Sequence, residues 1–158
     1  MHFDGPVRLD GAVTAFRGSH FTLSNFYPHP ITIDRHTYPT VEHYYQAAKA
    51  VDPADHDRIR DAATPAEAKQ LGREVRCVPG WSESRIPVMR RGLDAKYTLD
   101  SVPGVFLLGT GHVPLVEGND WDDRFWGVCE SEGANLLGIL LTERRGVLRH
   151  LREAGSEV

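Results

Sequence analysis

The sequence predicts an α+β fold: a single compact domain in which a small mixed or antiparallel sheet is surrounded by helices. Three observations support this prediction: short β-branched runs bounded by glycine and proline, helical hydrophobic spacing that follows recognisable caps, and an irregular order of the two. The chain has 158 residues, of which 41% are hydrophobic and 25% charged, as in an ordinary globular domain. We expect the domain to span residues 12–153, with flexible ends at 1–11 and 154–158.

The first part of the chain is predicted to form two strands and a helix. Val13 to Arg17 and Ile31 to Ile33 are alternating or β-branched runs that end near glycine or proline, which indicates strands. Ser24 to Pro28, between them, is predicted to be a loop of hydrogen-bonding and stacking side chains. Thr40 follows a proline and can accept from the first free N–H groups of a helix, which we place at about 41–51.

Two further helices are predicted from their start signals. Thr64 is followed by proline at the first helical position and by a glutamate three residues after the cap, so a helix should begin there and stop at Gly72. Ser82 could cap a helix that reaches Tyr97. Pro87 lacks a backbone donor, so the regular part of that helix is expected to begin near it.

The last part of the chain is predicted to contain two buried strands and a helix. The apolar runs Val105 to Leu108 and Arg124 to Cys129 are the strand candidates, separated by a loop rich in glycine, aspartate and tryptophan. The closing helix is predicted at about Ala134 to Leu151. The pattern of short strands among helices gives the fold class stated above.

Composition excludes several classes of protein. A formal net charge of −4 argues against a general duplex-DNA binder. The longest apolar stretch, Leu136 to Leu141, is far shorter than the roughly 20 residues that span a bilayer, and Asp4 and Arg8 stand where a signal peptide would be apolar. We therefore expect a cytoplasmic protein with no membrane segment, in which Cys77 and Cys129 are free, buried, structural thiols.

One stripe of polar residues lies on the helix that follows Thr40. Glu42, Gln46 and Lys49 are four and three residues apart, which places them on one face, with Tyr45 beside them. Such a face can hold a carboxylate against a sugar and an ammonium against a phosphate. The alternative is a solvated helix face with weak surface ion pairs.

A second group of residues fills the segment Val116 to Gly127. Trp121 and Trp126 offer flat surfaces on which a base could stack. N-glycoside cleavage needs negative charge beside an oxocarbenium-like ribose, and this segment has four carboxylates: Glu117, Asp120, Asp122 and Asp123. The alternative is an acidic loop whose tryptophans fill the core.

A metal site is not expected in this chain. The acidic segment lacks the alternate-position spacing of a calcium loop. The eight histidines show no His-x-x-x-His pairing, and no Cys-x-x-Cys pair occurs, so a zinc site is not indicated either. We predict no required metal and no cofactor.

Motifs spread over most of the chain occur in a characteristic order: Phe16-Arg17-Gly18, Leu23 to Pro28, Tyr38 to His43, Gln46 to Lys49, Thr64 to Lys69, Gly72-Arg73, Val88-Met89, Ala95-Lys96-Tyr97, Leu115 to Gly127 and Gly138. Taken together they resemble the NADAR (NAD- and ADP-ribose-associated) family. The resemblance implies an enzyme that hydrolyses the N-glycosidic bond between a ribose phosphate or ADP-ribose and an amino group of a base. It implies two candidate substrates: an aminopyrimidine ribosylamine phosphate of riboflavin synthesis, and ADP-ribosylated guanine in nucleic acid.

The resemblance also suggests roles for individual residues. The predicted catalytic residues are Glu42, Lys49, Asp122 and Asp123. The predicted substrate-binding residues are Arg17, Ser24, Asn25, Phe26, Tyr45, Trp121, Trp126 and Gly127. In this hypothesis Glu42, Asp122 or Asp123 stabilises the oxocarbenium ion and activates water. Lys49 is either a fixed cation or an amine that attacks the anomeric carbon. The rival hypotheses are a non-catalytic module that binds ADP-ribose or a nucleotide, and a domain whose tryptophan-rich loop docks a partner protein.

Overall fold

The computed structural model describes residues 8–9 and 11–156. Within them the chain forms six α-helices, one 3-10 helix and three two-stranded sheets, which confirms the α+β class. The ends predicted to be flexible, 1–11 and 154–158, fall partly on residues 1–7, 10 and 157–158, which lie outside the described residues. The last helix continues to Ser156.

The elements have the following bounds. The strands are β1 (Arg8–Leu9), β2 (Ala12–Val13), β3 (Ile31–Ile33), β4 (His36–Tyr38), β5 (Gly118–Asn119) and β6 (Val128–Cys129). The helices are the 3-10 helix Gly18–Leu23, α1 (Val41–Ala48), α2 (Pro53–Arg60), α3 (Pro65–Glu74), α4 (Trp81–Lys96), α5 (Val102–Gly109) and α6 (Leu136–Ser156). The β1–β2 and β3–β4 pairs are antiparallel, and β5 and β6 are parallel.

The described residues divide into two compact units. The central unit comprises Asn25–Lys96, and the terminal unit comprises the described residues of Met1–Ser24 and Tyr97–Val158. The central unit therefore contains the β3–β4 hairpin and helices α1 to α4. The terminal unit contains the other two sheets, the 3-10 helix, α5 and α6.

Helix α1 is the buried centre of the central unit. Thr40 caps it as predicted, because its Oγ1 accepts a hydrogen bond of 3.1 Å from the His43 backbone N–H. The buried His43 imidazole lies between the Thr40 hydroxyl, 2.8 Å from Nδ1, and the Ala62 carbonyl, 3.0 Å from Nε2. Helix α4 approaches α1 at Gly92, where an added Cβ would come within 2.8 Å of the Tyr44 ring. These contacts leave seven of the eight residues of α1 buried.

Helix α2 was not predicted, and its start signal is local. Helix α1 ends at Ala48 rather than near residue 51. Asp52 then caps a new helix, because its Oδ1 accepts a hydrogen bond of 2.9 Å from the Ala54 N–H, and Pro53 occupies the first helical position.

Two predicted helix boundaries in the central unit are wrong. Helix α3 does not stop at Gly72 but continues to Glu74. Helix α4 begins at Trp81, so Pro87 lies inside it rather than near its start. Both errors come from treating a glycine or a proline as a boundary marker where the surrounding helix continues through it.

The predicted strand at Val105 to Leu108 is wrong, because these residues lie in helix α5. The Ser101 Oγ accepts a hydrogen bond of 2.9 Å from the Gly104 N–H and so caps this helix, with Pro103 in its first turn. A short apolar run does not distinguish a buried strand from a buried helix. The signal that distinguishes the helix is the cap at Ser101, which the sequence prediction did not use.

The other two predicted strands of the terminal unit are shorter than expected. Only Val13 of the run Val13 to Arg17 is in a strand, β2. In the run Arg124 to Cys129 only the last two residues, Val128 and Cys129, are in a strand, β6. Among the described residues no helix is both long and apolar enough to cross a membrane.

Lys96 is the last residue of α4 and is fully buried. Its Nζ lies 5.4 Å from the centre of the Tyr27 ring, so the ammonium faces the loop that precedes β3. Burial lowers the pKa of Lys96 to about 7, because the charged form loses its water.

Candidate active site

Glu42 and Gln46 are buried on α1 and hydrogen-bonded to each other. The Gln46 Nε2 donates to the Glu42 Oε1 at 2.8 Å. The Glu42 backbone N–H, in the first turn of the helix, donates to the Asn25 carbonyl at 3.1 Å. Glu42 is thus held through both its side chain and its backbone, and the residue is only 7% exposed.

The position of Gln46 depends on Gly72. The Gln46 Oε1 is buried and has no hydrogen-bond partner among the described residues. A Cβ added to Gly72 would collide with this oxygen and come within 2.8 Å of the Gln46 Cδ. Gly72 therefore allows α3 to pass close to α1, and this contact explains why the glycine lies inside α3 rather than at its end.

Lys49 caps the C-terminal end of α1 and is partly buried. Its pKa lies below the ordinary value of 10.5, chiefly because burial disfavours the charged form. Arg73 and Lys69 lower the pKa of Lys49 further by repulsion, while Cys77 and Glu42 oppose the shift. Lys49 therefore has a larger fraction of neutral amine near pH 7 than an exposed lysine.

Aromatic rings line the same part of the central unit. The Lys49 Nζ lies 5.8 Å from the centre of the Tyr45 ring, and the Trp81 ring lies 5.3 Å from that of Tyr45. The Phe26 ring lies 6.0 Å from the Lys69 Nζ. Tyr45 thus lies beside Lys49, as its spacing on α1 predicts, and the substrate-binding role of Phe26 stays a prediction. Trp81 was not among the predicted site residues, and no sequence pattern marks it.

Cys77 is exposed, which contradicts the prediction of a buried structural thiol; Cys129 is buried as expected. Cys77 pairs with Ala50 in an isolated antiparallel bridge, and the Val78 N–H donates to the Lys49 carbonyl at 2.8 Å. The segment after α3 therefore runs beside the end of α1, which brings the Cys77 thiol into the electrostatic environment of Lys49.

Asn25 begins the central unit with one buried polar atom free. Its Nδ2 donates to the Met89 Sδ at 3.5 Å, and its Oδ1 has no hydrogen-bond partner among the residues that the structure describes. A buried acceptor of this kind is costly to leave unpaired. The role of Asn25 in holding the ribose or phosphate stays a prediction.

In the terminal unit, Arg17, Asp120 and Trp121 lie together. The Arg17 Nη2 is 4.0 Å from the Asp120 Oδ1, and its guanidinium carbon is 5.4 Å from the centre of the Trp121 ring. Trp121 is half exposed, so its ring is accessible. Ser24 ends the 3-10 helix, where its N–H donates to the Phe21 carbonyl at 2.8 Å. The substrate-binding roles of Arg17, Ser24 and Trp121 stay predictions.

The carboxylates of the loop 117–127 mostly hold the loop itself. The buried Asn119 Nδ2 donates to the Glu117 Oε2 at 3.1 Å and to the Asp123 carbonyl at 2.8 Å. The Asp123 Oδ1 accepts from the Phe125 N–H at 3.2 Å and from the Trp126 N–H at 2.9 Å. Asp123 thus fixes the turn before Trp126.

The remaining predicted residues of this loop have distinct settings. Asp122 is exposed, has a positive φ of 66°, and lies 3.0 Å from the Arg124 Nε. Trp126 packs edge-on against Phe125, with ring centres 4.7 Å apart. Gly127 is buried where an added Cβ would come within 2.7 Å of the Asn119 Nδ2.

Comparison with known proteins places this arrangement in a family. The model of the NADAR domain matches residues 11–149. The protein "N-glycosidase YbiA" of Shigella flexneri is 39% identical over 127 residues, which cover 78% of each chain. The "Riboflavin biosynthesis protein PYRR, chloroplastic" of Zea mays is 37% identical over 156 residues, covering 86% of this chain and 25% of that protein.

A solved structure supports the same assignment. The NMR structure of the E. coli protein YbiA matches with a TM-score of 0.80 and 31% identity, covering 96% of this chain and 90% of that one. The family match, residues 11–149, includes all of the predicted site residues. The chain therefore belongs to the NADAR domain family and is a hydrolase of the N-glycosidase type.

Proposed function

We propose that this enzyme hydrolyses the bond between the anomeric carbon of a phosphorylated ribose and an amino group of an aminopyrimidine, as in a riboflavin-pathway ribosylamine phosphate. The observation that supports it most strongly is on α1: a buried, hydrogen-bonded carboxylate at Glu42 and, two turns later, an amine at Lys49 whose pKa is lowered. The riboflavin name of the maize relative supports the choice of base.

Glu42 has the position and burial that stabilise a developing positive charge. As the glycosidic bond lengthens, the ribose becomes oxocarbenium-like and is attracted to a nearby carboxylate. Burial strengthens this attraction, because little water screens it. The fixed hydrogen bond from Gln46 orients the carboxylate before substrate arrives.

Lys49 acts as the nucleophile in this proposal. A lysine attacks a carbon only as the neutral amine, which requires a pKa lowered by burial or by a neighbouring cation. Both causes operate at Lys49. Its Nζ forms a bond to the anomeric carbon, the bond to the base amine breaks, and the base leaves with a proton. The bond between the anomeric carbon and the ring oxygen then breaks, the ring oxygen takes up a proton, and the lysine nitrogen is left double-bonded to this carbon as a protonated imine. Water adds to the imine carbon, the carbon–nitrogen bond breaks, and the lysine amine and ribose phosphate are released.

The test is a side-by-side hydrolysis assay with EDTA present and no added metal. One substrate is the aminopyrimidine ribosylamine phosphate, and the other is single-stranded DNA that carries ADP-ribosylated guanine. Release of ribose phosphate from the first substrate is the expected result. Release of ADP-ribose from DNA alone would replace the proposed substrate with a nucleic-acid modification.

Two controls make the assay specific to this site. The Glu42→Gln variant should lose the activity, which rules out a contaminating enzyme, while Glu153→Gln, a similar change at an exposed position of α6, should keep it. Binding of free ADP-ribose without turnover of either substrate would overturn the proposal in favour of a non-catalytic reader.

A further inference from the structure

The segment between α3 and α4 runs along the C-terminal end of α1. The Val78 N–H donates to the Lys49 carbonyl at 2.8 Å, which fixes this segment against the residue that ends the helix. Gly80, with a positive φ of 74°, then turns the chain into α4, whose first residue is Trp81. The backbone therefore brings the start of α4 to the end of α1 that carries Lys49.

Two aromatic rings, those of Tyr45 and Trp81, lie beside the Lys49 amine. Tyr45 precedes Lys49 by four residues, so their side chains leave the same face of α1. The Lys49 Nζ lies 5.8 Å from the centre of the Tyr45 ring. The Trp81 ring packs on the Tyr45 ring at an angle of 52°, with the ring centres 5.3 Å apart. Trp81 is partly exposed and Tyr45 is buried, so Trp81 covers Tyr45 while Tyr45 covers part of the amine.

An aromatic ring beside an amine has two opposing effects. Its face attracts the ammonium, which favours the charged form. Its bulk excludes water, which favours the neutral form. The pKa of Lys49 lies below 10.5, and burial is the largest cause, so exclusion of water outweighs attraction at this residue.

Several charged or titratable groups also face the Lys49 amine. Glu42 on α1 and Cys77 in the segment after α3 raise the pKa of Lys49, while Arg73 and Lys69 on α3 lower it. The indole of a tryptophan carries no charge. Replacing Trp81 by another uncharged side chain therefore leaves these four groups in place and changes only the packing around the amine.

We propose that Trp81 is a positioning residue for Lys49: by packing on Tyr45, it holds that ring over the Lys49 amine and keeps water away from it. This inference rests on the proposed function for the role of Lys49 as the nucleophile, but not for the packing itself. A drier amine is neutral for a larger fraction of the time, and only the neutral amine attacks carbon. Trp81 thus acts through Tyr45 and need not touch the substrate.

The experiment follows the titration of Lys49 by NMR in wild type and in Trp81→Leu. The chain has three lysines, Lys49, Lys69 and Lys96, so isotope-labelled lysine ε-carbons give few signals. The Lys49→Arg variant removes one signal and so assigns it. In Trp81→Leu the signal of Lys49 should titrate at higher pH than in wild type, closer to the ordinary value of 10.5.

The pH profile of turnover gives a second readout. At pH 7 the kcat of Trp81→Leu should be roughly 3- to 10-fold below that of wild type, because less of the amine is neutral. The two kcat values should converge at alkaline pH, where Lys49 is neutral in both proteins. Trp81→Phe keeps a ring on Tyr45 and should restore both the titration and the turnover.

Further variants test whether Trp81 acts through Tyr45. Tyr45→Leu removes the ring that covers the amine and should shift the titration of Lys49 in the same direction. Adding Trp81→Leu to Tyr45→Leu should then change little, because coupled residues are not additive. Phe21→Leu makes a similar change at an exposed ring of the 3-10 helix and should leave titration and turnover as in wild type. Thermal melting checks that each variant is folded.

The outcomes distinguish this inference from the proposed function. If Lys49 titrates at the same pH in folded Trp81→Leu as in wild type, the inference is overturned; should that variant not fold, an unchanged titration in Tyr45→Leu overturns it. A loss of kcat that is equal at every pH also overturns it. If Trp81→Leu shifts the titration but wild type hydrolyses neither N-glycoside, the role of Trp81 stands and the proposed function fails.

Discussion

Helix α1 and the loop 117–127 carry the same kinds of side chain, carboxylates beside aromatic rings, and the structure uses them differently. On α1 the helix makes most of its own backbone hydrogen bonds, and the Glu42 carboxylate accepts a hydrogen bond from the Gln46 side chain. In the loop the backbone has no such ladder, and the Asp123 side chain accepts from two backbone N–H groups.

This difference between helix and loop indicates which carboxylates are available for chemistry. A regular helix satisfies its own backbone and leaves polar side chains available for chemistry. An irregular loop recruits its short polar side chains as substitutes for a regular hydrogen-bond pattern. The number of carboxylates in a segment is thus a weaker guide to catalysis than what each carboxylate is bonded to.

The largest expected effect is at Lys49. Replacement by alanine removes the nucleophile and should lower turnover by on the order of a thousandfold or more. Borohydride should trap a covalent adduct in wild type and none in Lys49→Ala. Lys49→Arg keeps the charge without a usable amine and should be as inactive as the alanine variant.

The pH profile checks the same role. Because only the neutral amine attacks, kcat should rise with pH through the pKa of Lys49, which lies below 10.5. A fixed cation would give the opposite slope, and an active Lys49→Arg variant would point to that role instead.

The next effect is at Glu42 and contrasts directly with the loop. Glu42→Gln removes the charge with little change in shape and should lower kcat by roughly 100- to 1,000-fold, with melting temperature nearly unchanged. Asp122→Asn makes the same chemical change at an exposed residue of the loop and should leave kcat within about twofold. Equal losses in the two variants would contradict the contrast drawn between helix and loop.

A smaller effect is expected at Gly72. Gly72→Ala introduces a Cβ that collides with Gln46, displaces the group that orients Glu42, and should lower kcat by roughly tenfold. Overpacking should also reduce stability by about 1–3 kcal/mol. Gly146→Ala is the matched control in α6, where nothing lies within 4 Å of an added Cβ. It should keep full activity and gain about 0.5–1 kcal/mol.

The smallest effect on turnover is expected at Asp123, which should instead affect stability. Asp123→Ala leaves the N–H groups of Phe125 and Trp126 without their acceptor and should cost about 1–2 kcal/mol in unfolding free energy. Asp123→Asn keeps an acceptor oxygen and should restore most of that stability. A large loss of turnover in a stable Asp123→Asn variant would show that this carboxylate has a catalytic part after all.

Local signals predicted much of the fold. The caps at Thr40 and Thr64 were recognised from a few neighbouring residues, and both are present. The strand predicted at Val105 to Leu108 failed because apolar residues alone do not set a periodicity over so short a run. The end predicted at Gly72 failed because that glycine serves a contact with Gln46, which no local pattern contains.

The candidate site follows the same rule: residues related by local spacing were predictable from the sequence, and contacts between distant segments were not. The spacing of Glu42, Gln46 and Lys49 placed them on one face of a helix, since helical geometry is local. Cys77 is exposed and pairs with Ala50, 27 residues earlier in the sequence, a contact that no local pattern contains.

Lys96 makes the stability of this protein depend on pH above neutrality. Its pKa is about 7 in the folded chain and 10.5 in an ordinary setting, so between these values the unfolded chain binds more protons. Unfolding free energy should therefore rise with pH across that window, as denaturant titrations at a series of pH values would show. Lys96→Met should flatten the rise and stabilise the protein most at and below pH 7, where wild type must keep a charge buried. The titration of Lys96 should therefore make the folded enzyme more stable in mildly alkaline solution than at neutral pH.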